Sequence, residues 1–286
     1  MKQFRKAAAV LLALAMLLAL TACGGSSTSH LAGLMSAKNG SCALDFQAEK
    51  NLLYVTSRNT SSEENNTGNG LDFGSALINF RDLDVAARNA YLATGDAFSV
   101  SPLLASGKVK VIEIHYPDRP FGQPTRYDVK TSGKHVSQVS DGMQTWDYSY
   151  NGKGNLTQVK TKYGDTDYYT MDLVYEGGKL TKITFQTAAS YGGEPSKSEI
   201  KVTTDSDGRM VKTESKETGT STYEYNSRGL PVSQTQPGQL KTTSVRTYEY
   251  DKDDNLIKVT DEVASPFLQG QTEKTEFTLS KYTTIG

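Results

Sequence analysis

Trp146-Asp147-Tyr148-Ser149-Tyr150-Asn151-Gly152-Lys153-Gly154-Asn155-Leu156-Thr157-Gln158-Val159 reads as a strand, a tight turn and a returning strand. Trp146, Tyr148 and Tyr150 alternate with Asp147 and Ser149, so their three rings share one face of an extended chain. The Asn-Gly-Lys-Gly run supplies residues that tolerate the positive φ of tight hairpins. Versions of the phrase follow at Leu173-Val-Tyr175, Val202-Thr-Thr204, Tyr223-Glu-Tyr225 and Tyr248-Glu-Tyr250, each with an Asn-, Asp- or Gly-rich turn behind it. From Tyr150 the third position advances by 25, 29, 21 and 25 residues to Tyr175, Thr204, Tyr225 and Tyr250. The returning strand opens with Leu156, Leu180, Met210, Leu230 or Leu256. Three residues later stands Val159, Ile183, Thr213, Ser233 or Val259. That odd spacing puts the pair on opposite faces unless a bulge intervenes, with the Leu tucked under the turn.

A repeat of this length means stacked units that bury a face against their neighbours. The expected fold class is mainly β: an antiparallel sheet of consecutive repeat hairpins, open, coiled or partly closed, with one short N-terminal helix. The hairpin domain spans 108–286. It starts with a strand through Val109, Val111, Ile112 and Ile114 and a turn at Pro117 to Pro120. A degenerate hairpin follows around Ser132-Gly133-Lys134, and Thr275 to Leu279 is the closing strand. Residues 71–107 form a helical cap. Leu77, Phe80, Leu83, Ala87 and Tyr91 approach helical spacing between Ala76 and Ala93, with Ser75 as N-cap and Gly95 as stop. The cap is expected to cover an end of the sheet. Residues 24–55 show no clear period and 56–70 are polar and turn-rich, so 23–70 reads as tether and linker.

The phrase Tyr-x-Tyr-(Asn/Asp)-x-x-Gly-x-Leu-x-x-Val, over about residues 143 to 262, resembles the YD repeat of Rhs-like bacterial surface and toxin-shell proteins. That resemblance implies a β-sheet shell or spiral whose repeats do no chemistry themselves. This chain is too short to wrap a chamber and no toxin-like domain follows the last repeat, so toxin delivery is not expected. Phe80-Arg-Asp-Leu-Asp-Val-Ala-Ala and Phe98-Ser-Val-Ser-Pro102-Leu-Leu-Ala, within 71–105, are faintly similar to the opening of bacterial serpins. The likeness covers about thirty residues and the serpin body does not follow, so inhibitor activity is not expected.

Residues 1–22 have the build of an export signal: Lys2, Arg5 and Lys6, then an apolar run from Ala7 to Leu20, too short for an ordinary span. Leu20-Thr21-Ala22-Cys23, followed by a Gly/Ser tether, resembles the bacterial lipobox. The resemblance implies cleavage before Cys23 and a diacylglycerol on its thiol. Acyl chains contribute about 0.8 kcal/mol per buried CH₂, so two or more hold a domain stably at a membrane. The expected location is the cell or outer membrane, facing the exterior or periplasm.

After cleavage the chain carries 28 Lys and Arg against 32 Asp and Glu, with no basic run, so a nucleic-acid partner is not expected. Cys42 is then the one remaining thiol, and its neighbours supply no base. His30, His115 and His135 are far apart, and no phosphate loop or hydrolase motif occurs. Asp205/Asp207 and Asp251/Asp253/Asp254 read as turn residues, since neither run has the ligand order of a calcium loop. No catalytic set, metal site or cofactor is expected. The candidate ligand-binding set is the aromatic ladder Trp146, Tyr148, Tyr150, Tyr175, Tyr223, Tyr225, Tyr248 and Tyr250. Exposed, such rings suit sugars or a partner protein; turned inward, they are the core, and nothing else apolar is plentiful enough to make one. The function expected is non-enzymatic binding of a glycan, cell-wall component or envelope protein. The alternative is an assembly subunit that pairs through a sheet edge. A hydrolase lacks the paired carboxylates it needs.

Overall fold

The computed structural model describes residues 38–59, 76–117, 123–188, 195–238, 242–264 and 272–281. The signal, Cys23, Ser75 and most of the Pro117–Pro120 turn lie outside these residues. The strands are β1 (Lys38–Gln47), β2 (Leu52–Asn59), β3 (Val111–His115), β4 (Thr125–Ser132), β5 (His135–Ser140) and β6 (Gln144–Tyr150). Next come β7 (Leu156–Tyr163), β8 (Thr166–Glu176), β9 (Lys179–Thr187), β10 (Ser196–Thr204) and β11 (Met210–Ser215). Then follow β12 (Gly219–Tyr225), β13 (Pro231–Pro237), β14 (Thr243–Tyr250), β15 (Leu256–Ala264) and β16 (Thr272–Lys281). Helices α1 (Val85–Thr94) and α2 (Pro102–Ala105) stand between β2 and β3.

These strands pair into one closed barrel. From β3 to β16 every neighbour is antiparallel and consecutive, as hairpin repeats dictate. Closure comes from β1, which pairs antiparallel with β2 and parallel with β16, Lys38 opposite Thr275. β2 in turn runs parallel to β3, with Leu53 opposite Ile112. The mainly β class holds, and the open or coiled alternatives give way to a closed ring. Residues 38–59, read from sequence as tether and linker, are instead the hairpin that shuts it. Cys42, Leu44, Leu53 and Val55 alternate inward and are buried. Small residues at other inward positions, Gly40 and Ser57, hid that alternation.

The odd Leu-to-Val spacing is resolved by a recurring bulge. Tyr150 lies opposite Leu156 while Ser149 lies opposite Gln158, which leaves Thr157 unmatched on the returning strand. The same slip occurs at Tyr250, Tyr175 and Thr204, leaving Ile257, Thr181 and Val211 extra. It returns every inward side chain to one face, so Leu156 and Val159 are both buried. The fourth unit departs by one residue: Pro231, not Leu230, faces Tyr225, and buried Gln234 rather than Ser233 sits opposite Tyr223.

Turn chemistry repeats with the same regularity. Asn151 Oδ1 accepts from the amides of Lys153 and Asn155, and Asp251 Oδ1 accepts from those of Asp253 and Asn255. Asn226 does the same for Arg228 and Leu230. The β8–β9 turn is tighter, and Gly177 and Gly178 both take positive φ (59° and 85°), a region that glycine enters with no Cβ to clash.

Candidate functional site

The segment 76–107 stoppers the barrel at the rim where these repeat turns gather. Helix α1 starts later than its sequence spacing suggests, capped by Asp84, whose carboxylate accepts from the Ala87 amide. It ends at Gly95 in the left-handed conformation. Phe80, in a 3₁₀ turn before it, is fully buried and packs edge-on to Tyr248, ring centroids 5.1 Å apart. Phe98 beyond α1 meets Tyr127 and Trp146 on other strands. The expected cover for one end of the sheet is thus a plug seated in the mouth of the barrel.

Polar contacts fix the plug in register with the repeats. Asn89, buried in α1, donates to the Gly208 carbonyl at 2.8 Å and accepts from the Met210 amide at 2.9 Å. Asn79 makes the equivalent contact at another unit: its Oδ1 accepts from the Leu256 amide, and its Nδ2 donates to Asn255. Arg88 donates to the carbonyls of Gly229 and Phe80, and Arg81 to that of Asp253. Turn and Leu-position backbone groups are therefore the plug's chief polar partners.

All eight ladder residues face the interior. Trp146, Tyr148, Tyr223 and Tyr248 are buried, and Tyr150, Tyr175, Tyr225 and Tyr250 are half-buried against the core. Burial raises the hydroxyl pKa values of Tyr223 and Tyr175 to about 12, and lifts those of Tyr148 and Tyr248 well above the usual tyrosine range. The outer tyrosines of three units reach back to the preceding hairpin. Tyr225 donates to the Met210 carbonyl at 2.6 Å, Tyr250 to Pro231 at 2.6 Å and Tyr150 to Val136 at 2.9 Å. Tyr150 also lies 2.9 Å from the Ser99 carbonyl of the plug. Tyr175, from the unit with the shortened turn, has a buried hydroxyl without a hydrogen-bond partner. His135 stacks on Tyr150 and the Arg209 guanidinium covers Tyr225, so these rings have occupied faces too. The ladder supplies the core and the inter-repeat lock, and offers a flat ligand no row of open rings.

The carboxylates of the repeat turns are likewise engaged. Asp205 accepts from Arg209 through both amide and guanidinium, and Arg209 also pairs with Asp207. Asp251 holds Asn255. Among the described residues no group of three potential metal ligands comes together.

Asp96 is the chemically unusual residue that no sequence motif marks. It follows the Gly95 stop and is buried; its Oδ1 accepts from the Phe98 amide at 2.9 Å and from the Tyr148 hydroxyl at 3.4 Å. Its Oδ2 is buried with no hydrogen-bond partner. Desolvation pushes its carboxyl up to about 6, against the lowering effect of those hydrogen bonds. Thr-Gly-Asp after a helix reads as a solvated turn, and only the plug's insertion makes this Asp interior.

The outer wall is the barrel's polar surface. Lys162 pairs with Asp147 and Lys160 with Asp167, while Arg246 holds Asp261 through two 2.7 Å bonds. A wall so charged does not face hydrocarbon. Among the described residues no helix is long and apolar enough to cross a membrane.

No family model matches the chain, and neither does any curated protein. Among solved structures it is weakly similar to the crystal structure of TcdB2-TccC3 without hypervariable C-terminal region. The identity is 15%, over 52% of this chain and 10% of that one, with a TM-score of 0.26. A second is the crystal structure of TcdB2-TccC3-Cdc42, at 9% identity over 66% of this chain and 12% of that one, TM-score 0.20. The matched part is about a tenth of the length of either, and likenesses this slight identify neither a family nor a function.

Proposed function

We propose that this is a bacterial lipoprotein, held at a membrane surface through Cys23, whose barrel is a rigid, non-enzymatic module that binds an envelope protein. The lipobox-like Leu20-Thr21-Ala22-Cys23 supports the anchor, and the YD-like phrase supports a structural role for the repeats. The observation that carries the binding mode is the inward ladder. With the aromatic rings buried and the strands closed on themselves, recognition falls to the charged outer wall and the rims. Ordered charges of both signs suit partner selection and steering, as in protein–protein recognition. A closed ring also weakens the alternative of sheet-edge pairing, because closure removes the edge a partner strand needs. A hydrolytic role finds no support at Asp96, which is buried within the plug, its carboxylate turned to the Phe98 amide and the Tyr148 hydroxyl.

The test uses the mature chain with Cys23→Ser and photo-crosslinking groups at outer-wall positions beside Arg126, such as Asp128, whose side chain is 63% exposed. Saturable, salt-sensitive crosslinking to one envelope protein, lost on Arg126→Glu, is the expected result. Retention on polysaccharide resins with no protein crosslink would replace the protein by a glycan and overturn the reading.

A further inference from the structure

Among the described residues, the two rims of the barrel differ. One rim collects the repeat turns and the plug, and charged side chains stand out from its turns: Lys252 is 90% exposed, Asp207 65% and Asp253 64%. The opposite rim carries the β5–β6 and β7–β8 turns. On it stand the two most exposed large hydrophobic side chains described, Met143 (63%) and Tyr163 (57%). They are neighbours, with the Tyr163 hydroxyl 3.9 Å from the Met143 sulfur and Gln144 opposite Tyr163 in the ladder. Both tips are pre-set. Asp141 Oδ1 accepts from the Met143 and Gln144 amides, and the Gly164 amide donates to the Met143 carbonyl at 2.9 Å. The third exposed hydrophobic residue, Ile257, is the outward residue of a bulge near the plugged end, at 36%.

The chain enters the barrel at this same Met143–Tyr163 rim. β1 runs from Lys38 toward the β1–β2 turn, and that turn lies at the plugged rim, where the Asn51 carbonyl accepts from the Lys110 amide. Lys38 therefore begins at the opposite rim. Fourteen residues separate it from Cys23, a path of at most about 50 Å fully extended.

We propose that the Met143–Tyr163 rim rests on the lipid surface, its two side chains seated among the headgroups, with the plugged rim facing away. The inference rests on the lipid-anchored reading of Cys23. Tyrosine combines an apolar ring with a polar tip and suits the membrane interface, and methionine adds flexible apolar area. The neighbouring carboxylates Asp141 and Asp165 add no attraction to anionic lipid. Lys216 and Glu217 in the β11–β12 turn of the same rim are exposed as well, so the contact proposed is that of Met143 and Tyr163 alone, formed on zwitterionic bilayers once the tether holds the barrel close.

Coupling the mature chain through the Cys23 thiol to maleimide-bearing phosphatidylethanolamine, in phosphatidylcholine vesicles, tests the rim without enzymatic acylation; Cys42 is buried and does not compete. Tyr163→Trp and Lys252→Trp are compared in brominated and ordinary vesicles, with the Trp146 signal of the parent chain subtracted. The Tyr163→Trp emission should shift to the blue and fall about twofold in brominated lipid, while Lys252→Trp stays unchanged. Equal quenching of both, or none at Tyr163→Trp, would overturn the orientation. Mass measurement of the N-terminal peptide from cells is the separate arm. Unmodified Cys23 there would overturn the anchored reading and this proposal with it, whatever the vesicles show.

Discussion

Replacing Asp96 by Asn is expected to stabilise the protein at neutral pH and to leave its stability near pH 4 little changed. The carboxyl is buried within the plug with one oxygen hydrogen-bonded and the other unpartnered, and burial raises it from 3.8 to about 6. The sign follows from linkage. Between these values the folded state holds the proton more tightly than the unfolded chain, so stability falls as pH rises from about 4 to about 6 and then levels off. A gap of that size corresponds to about 3 kcal/mol above both values. Asn keeps the Oδ1 that accepts from the Phe98 amide, but its new amide group lacks a partner in place of Oδ2, which costs about 1 kcal/mol. A net gain of about 2 kcal/mol at pH 7 remains. Urea unfolding of parent and Asp96→Asn at pH 4, 5, 6, 7 and 8 reads the difference directly. A gain that did not grow between pH 4 and pH 7, or a loss at pH 7, would refute the reasoning.

Tyr225→Phe and Tyr250→Phe should each lose about 1 kcal/mol, the net worth of a hydroxyl-to-carbonyl bond, and Tyr150→Phe the same or more. Tyr175→Phe should be neutral or stabilising by chemical denaturation, since its hydroxyl is buried without a partner. Asn89→Ala removes two buried hydrogen bonds to the backbone around Met210 and should cost about 2–4 kcal/mol. Faster amide exchange confined to 76–107 and the repeat turns would accompany it. Phe80→Ala should cost about 3–5 kcal/mol and expose the plug to limited proteolysis ahead of the strands. Cleavage that began in the repeat strands would contradict the plug's role as a separate stopper.

The repeat hairpins are legible in the sequence because every device that makes them is local: alternation of rings, a turn run rich in Asn, Asp and Gly, and a returning Leu. Even the bulge leaves a trace, in the three-residue gap from Leu156 to Val159. The barrel's closure leaves none, since β1 and β16 pair in parallel across more than two hundred residues and no local pattern encodes that contact. Residues 38–59 do not look like strands because Gly and Ser stand at inward positions where a strand ordinarily shows large apolar side chains. The plug is half legible. Its apolar spacing and Gly95 stop are visible, yet Asn79, Asn89 and Asp96 look like surface residues until the barrel surrounds them. Leu230 misleads for a plain reason: one residue fewer separates it from Tyr225 than separates Leu156 from Tyr150, so Pro231 takes the ladder position. The ladder cannot be assigned to core or ligand from sequence, because the same rings serve either purpose.

Residue-resolved tyrosine nitration of the native protein, read by peptide mass, tests the inward ladder most directly. The account predicts fast modification of Tyr163, with Tyr148, Tyr223 and Tyr248 protected until the protein unfolds in denaturant and Tyr150, Tyr175, Tyr225 and Tyr250 slow. Ladder tyrosines nitrated in the native state as fast as Tyr163 would contradict it and return the rings to the surface.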